Sequence, residues 1–393
     1  MKITKIETIP VSVSLSKFSD GMDKVVGVNA PSKYGNDLYP HDKYSLHLIN
    51  NNYCLSNIII KIHTDENFIG YGEASCDMTE PTHVVKNIID KHMAPMLIGK
   101  NPLDWKCLID IVNWESYRSP NRFATSGIDL ALFDLVGKIL NVPVYTLLGG
   151  KWRNKILVSI EVPRDTPEKI TEHSYEYYCQ GIRGIKAKIG SDPIRDAECI
   201  ISIREKLGDE ISLRADANCG YTVKQAMLFC KTIEKQNVDL ELLEQPVAAH
   251  DLNGLKQVKE STYIPIEADE SAYSLSQVQK ILSLDAVDLI NTKCAKAGGI
   301  NGVVQWATLA ESVDKQIVIG TEWGFGLKVA AKLHLGSAIK NSNPVVEFTE
   351  YMIHDLFLKN NFQLENGYFT VPNKPGLGVV IDEEKIEKYK VDI

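Results

Sequence analysis

The sequence has no run of 18 or more apolar residues, no cluster of Lys and Arg, and no C-x-x-C pair among its eight cysteines. Each absence removes a class of function. Without a long apolar run there is no candidate membrane-spanning helix. Without a basic patch, and with a net charge of −8, there is no electrostatic footprint for nucleic acid or an anionic bilayer. The cysteines (Cys54, Cys76, Cys107, Cys179, Cys199, Cys219, Cys230, Cys294) are dispersed, which argues for reduced thiols rather than a disulfide framework or a zinc site. Cys219 and Cys294 stand beside candidate site residues, but neither has a His neighbour in sequence, and a small packing residue is the simpler role. The nine histidines show no metal-ligand spacing. The glycine-rich TEWGFGLK has neither the G-x-x-x-x-G-K-[ST] of a phosphate loop nor a dinucleotide fingerprint. The opening MKITKIETIPVSV alternates as a strand does, so a cytoplasmic enzyme is the expectation.

What the chain does have is a succession of charged groups at the ends of apolar strands between Gly184 and Gly299. In order they are Lys186-Ala187-Lys188, Asp216-Ala217-Asn218, Glu244-Gln245-Pro246, Asp269-Glu270 and Lys293. Each closes a run rich in Leu, Ile or Val and is followed by a polar turn and an amphipathic helix. The repeat of about 25–30 residues is one βα unit of a parallel barrel. Strands are expected at 157–163, 184–189, 211–216, 240–244, 264–269, 287–293, 316–322 and 345–351, with seven helices between them. Ahead of the barrel an α+β unit is expected, with strands at 1–15 and 57–64, helical patterns over 79–142 and Ser126 as an N-cap. A polar segment at about 17–52, containing Tyr34, Tyr39, His41 and Tyr44, has the length of a lid. The tail after Asp355, with NGYFTVPNKPGLGVV, is expected to return to the N-terminal unit. The divisions are 1–125, 126–355 and 356–393.

In a barrel the chemistry sits at the C-terminal ends of the strands. Asp216, Glu244 and Asp269 close adjacent strands and are expected to converge on one point. Three carboxylates that close repel unless a divalent cation neutralises them, and all-oxygen ligation suits Mg²⁺, with Mn²⁺ possible. Lys188 and Lys293 come from strands four apart and so flank the pocket from opposite sides. A lysine acting as a base needs a lowered pKa, and Lys186, two residues before Lys188 on the same face, is expected to contribute by like charge. A metal with a base on each face is the equipment for removing an α-proton beside a carboxylate, since the enediolate must be stabilised electrostatically as it forms. The expected partner is a small carboxylate, and a homo-oligomer is the expected assembly.

These residues resemble the enolase superfamily, specifically the muconate lactonizing enzyme subgroup. The likeness runs through SGIDLALFDLVGKILNVPVYTLLGG (126–150), GIKAKIG, RADANCGY, LLEQP, IEADES, NTKCAKAGGI (291–300) and PGLGVVIDEE. It implies an α/β fold, a modified TIM barrel (β/α)7β under a capping domain made from both termini. It also implies Mg²⁺ on Asp216, Glu244 and Asp269, with Lys188 and Lys293 as the acid/base pair and Lys186 in support. Lys293 stands five residues before Gly298-Gly299, as the catalytic lysine of the family does, and is preferred to Lys296. Glu322 resembles the acidic residue at the seventh strand, which contacts or orients substrate. Trp323, at the mouth, would wall off an apolar group, face a cationic one, or simply pack under the lid. Asn218 and Glu270 are further supporting candidates. Dipeptide epimerases of the subgroup carry Asp-x-Asp at the eighth strand, whereas this chain has Glu347-Phe348-Thr349-Glu350, in which Glu350 could pair with a cation. Racemisation or epimerisation is the first expectation, cycloisomerisation or dehydration the second, and a non-catalytic binding protein a remote third.

Overall fold

The computed structural model describes residues 1–14, 47–49, 52–76, 81–115, 121–348, 350 and 356–393. Most of the expected lid, with Tyr34, Tyr39, His41 and Tyr44, lies outside them. The N-terminal unit is an antiparallel sheet of β1 (Ile3–Ser14), β2 (His47–Ile49), β3 (Asn52–Thr64) and β4 (Ile69–Ser75), in which β3 pairs with the other three. The alternation of ITKIETIPVSV places Ile3, Ile9, Val11 and Val13 in the core.

The helix Arg122–Ile139 lies against this sheet and is buried from Ala124 to Gly137. Being apolar nearly all round, it can only be stable between two layers. The approach is close: a Cβ on Gly72 would collide with the Gly127 carbonyl, and one on Gly127 with Ile60 and Ala74. Its N-cap is Asn121, whose side chain accepts from Ala124 N–H at 2.9 Å, so Ser126 is a buried residue of the second turn rather than the cap. The helix also spans the expected 125/126 division, and the barrel itself starts only at Lys155.

The barrel strands are β5 (Lys155–Val162), β6 (Gly184–Lys188), β7 (Ser212–Asp216), β8 (Leu242–Glu244), β9 (Ile266–Ala268), β10 (Leu289–Thr292), β11 (Gln316–Ile319) and β12 (Val345–Glu347). Successive strands from β5 to β11 pair in parallel. Closure comes from the parallel pairing of β12 with β5 and a bridge between Ile317 and Ser342 just ahead of β12. Each intervening connection contains a helix, and Thr166, Asp192, Thr222, Asp251 and Ser274 cap five of them through their side chains. The tail does two things. β14 (Tyr368–Thr370), in a hairpin with β13 (Leu364–Glu365), adds antiparallel to the start of β5, at Lys155, Ile156 and Leu157. The chain then reaches the cap, where Val391 N–H donates to the Pro10 carbonyl at 3.0 Å.

The barrel interior is layered. Leu242, Leu289 and Val318 form a small apolar cluster separate from the main core. Two residues farther along β8 and β10, on the same inward face, stand Glu244 and Asn291. On β8 and β10 an apolar layer is thus followed by a polar one, although the register partners of Leu242 and Leu289 are the buried Arg214 and Glu267. No disulfide joins any of the eight cysteines among the described residues, and no described helix is long and apolar enough to cross a membrane.

Candidate active site

Lys186 sits at the centre of the polar layer. Its ammonium is 2.8 Å from Glu244, 2.8 Å from Glu347, 3.2 Å from Glu161 and 3.8 Å from Asp216. Two residues on, Lys188 is 2.6 Å from Asp216 and 2.8 Å from Glu161. Register explains the first of these pairs, because Lys188 and Asp216 are direct partners across β6 and β7, as Asp216 and Glu244 are across β7 and β8. On the far side Lys293 reaches Asp269 at 2.7 Å, and Lys296, from the short helix Cys294–Ala297, reaches the other oxygen of the same carboxylate. Lys296 is buried beside the rings of Tyr273 and Trp306, whereas the Lys293 side chain is 22% exposed and the more open of the two.

Charge sets the protonation of these groups. Burial alone would lower the lysine pKa values, but for Lys188 the carboxylates of Asp216 and Glu161 outweigh it, and Lys186 and Lys293 are likewise held well above the ordinary range. Lys186 pushes Lys188 down, as like charge requires, but without a cation the acids around the pair prevail. Burial brings Lys296 down, aided by Lys293. Glu161 is held at about 2 because Lys188 and Lys186 overcome its burial. Burial, with Asp269 and Asp216 nearby, pushes Glu270 up to about 7.

Each of the three expected metal ligands is thus engaged by a lysine. Among the described residues no group of three or more His, Cys, Asp or Glu side chains is gathered closely enough to hold a metal ion. The chemistry of the donor set nevertheless fits a hard divalent cation: three carboxylates close adjacent strands, and oxygen is the only donor type. Beside them, Asn218 Oδ1 and Glu270 Oε2 are buried without a hydrogen-bond partner among the described residues. Asn218 also donates its backbone N–H to Asp216 at 2.8 Å and its side-chain amide to Glu270 at 3.1 Å, which fixes both acids.

The acids that follow β11 and β12, Glu322 and Glu350, already have partners within the protein. Glu322 accepts from Lys328 at 2.7 Å and from the Ala295 N–H, so its carboxylate is turned into the wall. Among the described residues Glu350 accepts from the buried Lys332, at 2.7 and 2.6 Å, and it is fully buried. Trp323 is 7% exposed. Sequence reasoning missed Glu161, Glu267, Asn291 and Glu347. Their signal was an acid or amide inside a mainly apolar strand, as in LVSIEV and VVEF, where alternation places it inside the barrel.

Residues 169–385 match the family described as enolase C-terminal domain-like, and residues 50–149 match the mandelate racemase / muconate lactonizing enzyme N-terminal domain. The chain belongs to the mandelate racemase/muconate lactonizing enzyme family of the enolase superfamily. An L-Ala-D/L-Glu epimerase of Clostridium acetobutylicum is 30% identical over 83% of this chain and 91% of its own length. The structure of an N-succinyl Arg/Lys racemase from Bacillus cereus superposes with a TM-score of 0.84 at 26% identity, covering 100% of this chain and 99% of that one. A dipeptide epimerase from Cytophaga hutchinsonii, solved with Mg and D-Ala-L-Val, gives 0.83 at 26% over 100% and 99%. This chain is thus an enzyme of the enolase superfamily, with the superfamily's barrel under an N-terminal cap.

Proposed function

We propose that the protein is a Mg²⁺-dependent isomerase that moves the α-proton of a small carboxylate between two faces, racemising or epimerising the substrate. The observation that carries the reading is the placement of Lys188 and Lys293 at the ends of β6 and β10, four strands apart in a closed barrel. Each stands against one of the carboxylates that close β7 and the strand-nine turn. In this reading Asp216, Glu244 and Asp269 hold the cation, which the relative solved with Mg supports. When bound, the metal would polarise the substrate carboxylate and lower the acidity barrier at the adjacent carbon.

The chain's own residues do the proton work. One lysine, neutral once it is freed of the carboxylate that holds it protonated, accepts the α-proton at Nζ on its face, and the other, still an ammonium, donates from the opposite face, so the product is inverted; the reverse direction exchanges their roles. Lys186 stays within the polar layer, where four carboxylates fix it and where it adds positive potential beneath the site. Asn218 orients Asp216 and Glu270. A cytoplasmic homo-oligomer acting on a free small-molecule acid belongs to the same reading.

Incubation in D₂O with Mg²⁺ and a panel of N-acylated amino acids, dipeptides and hydroxy acids tests it. Deuterium should enter the α-carbon of at least one acid and stop entering when EDTA is added. No exchange across the panel would contradict the reading. Cycloisomerisation is the second reading, favoured by a muconate cycloisomerase of Pseudomonas putida 28% identical over 84% of the chain. It would leave one of the two lysines nearly dispensable.

A further inference from the structure

Beside the site, cap and barrel meet through buried polar groups that the reaction does not use. β3 contributes Asn57, and β4 contributes Glu73 and Ser75; all three are fully buried. Glu73 Oε1 accepts from the Phe325 N–H at 2.8 Å and from Asn57 Nδ2 at 2.8 Å. The same Asn57 amide donates to the Trp323 carbonyl at 3.2 Å, while Asn57 Oδ1 accepts from the Cys76 N–H at 3.0 Å. Ser75 Oγ donates to the Glu322 carbonyl at 3.2 Å and meets the Lys328 ammonium. The backbone of Glu322, Trp323 and Phe325 is therefore tied to the cap sheet, although all three follow β11 of the barrel.

A free chain would not hold that segment in this shape. Trp323 has φ 32°, in the left-handed region where a bulky residue is strained, and such strain persists only where the surroundings over-determine it. Glu73 bears a cost of its own: Oε2 is buried with no hydrogen-bond partner among the described residues. Burial, opposed mainly by Lys328, also pushes its carboxyl up to about 7. A hydrophobic residue at the same place would have served packing better, so the acid is explained by what its other oxygen holds.

We propose that Glu73 is a positioning residue that, with Asn57, locks the strained Trp323 segment to the cap, making cap seating and the shape of the site mouth a single event. The inference rests on the mouth being the active site, and its test has two arms that fail separately. The first is hydrogen exchange of the full chain read by mass spectrometry. In Glu73→Ala the peptide covering 320–328 should exchange about tenfold faster while that covering 240–246 is unchanged, and Glu73→Gln, whose amide oxygen still accepts, should restore protection. Asn57→Ala, which removes the tether to Trp323, should loosen the same peptide, so the result does not depend on one variant folding. The second arm uses any acid whose α-proton the wild type exchanges: Glu73→Ala should raise KM about tenfold with kcat little changed, and Glu73→Gln should restore it. Equal protection of 320–328 in all variants overturns the lock. An unchanged KM in a Glu73→Ala protein whose melting temperature has fallen overturns the link to the site. A wild type inactive on every acid counts against the proposed function, and the exchange arm still decides the lock.

Discussion

Lys332 shows what a buried charge requires at the scale of one residue. Its ammonium is 2% exposed, and its partners are the Glu350 carboxylate and the Glu347 carbonyl. Lys332→Met is expected to leave Glu350 buried without a countercharge and to cost about 3–5 kcal/mol in urea unfolding. Lys332→Met with Glu350→Gln should recover more than half of that loss, because the cost lies in the orphaned charge. His334 offers a pH test. Its Nδ1 accepts from the Tyr145 N–H at 3.3 Å and its Nε2 donates to the Leu377 carbonyl at 3.1 Å, so only the neutral ring satisfies both. Burial lowers its pKa from 6.5 to about 4. The folded state binds its proton less readily than the unfolded chain. The contribution is therefore fully present above pH 6.5 and is lost progressively down to pH 4, by about 3 kcal/mol. His334→Gln should flatten the stability profile by that amount within this window. At this scale the sequence was informative where a charge closes a strand, as at Lys188 and Asp216. It was silent on partners: that Glu350 belongs to Lys332 depends on the helix Gly326–Ala338 meeting the segment after β12, 18 residues on.

Among the elements, the contact between β4 and the helix Arg122–Ile139 sets how closely the cap can sit on the barrel. The approach leaves no room for a side chain at Gly72. Gly72→Ala is expected to cost about 1–3 kcal/mol through overpacking, read as a lowered melting temperature, whereas alanine at the open position Gly149 should produce no collision. Gly149 has φ 100°, so its own cost is conformational. Another join is made by Asp129 on the same helix, whose carboxylate accepts from Ile300 N–H at 2.6 Å and so caps the helix Ile300–Glu311. A Cβ on Gly299, where φ is 118°, would collide with that carboxylate. The Gly298-Gly299 pair thus serves packing as well as the turn after Lys293. The barrel strands were legible because an apolar run ending in a charge and a turn is a local signal. The helix start was not, because Arg122 to Thr125 carry no apolar period and the cap Asn121 is revealed only by its hydrogen bond.

For the molecule as a whole, the central relation is between a cap built from both ends of the chain and a barrel whose acids and lysines neutralise one another. The layering of the barrel could be read from strand alternation, but the net effect of its charges could not. Four carboxylates around Lys186 reverse the pKa direction that the lysine pair alone implied. Metal should compete with these lysines for the same oxygens. Millimolar Mg²⁺ is therefore expected to raise the melting temperature by an amount growing with the logarithm of its concentration, and Asp216→Asn should remove most of that gain. The most direct test of the account follows the α-proton of each enantiomer of an active acid by NMR in D₂O, with Mg²⁺, for Lys188→Ala and Lys293→Ala. Each variant should still exchange one enantiomer, the opposite one in the two cases, while racemisation falls by about 10²–10⁴-fold in both. Continued interconversion of both enantiomers by either variant would contradict a mechanism with one lysine on each face.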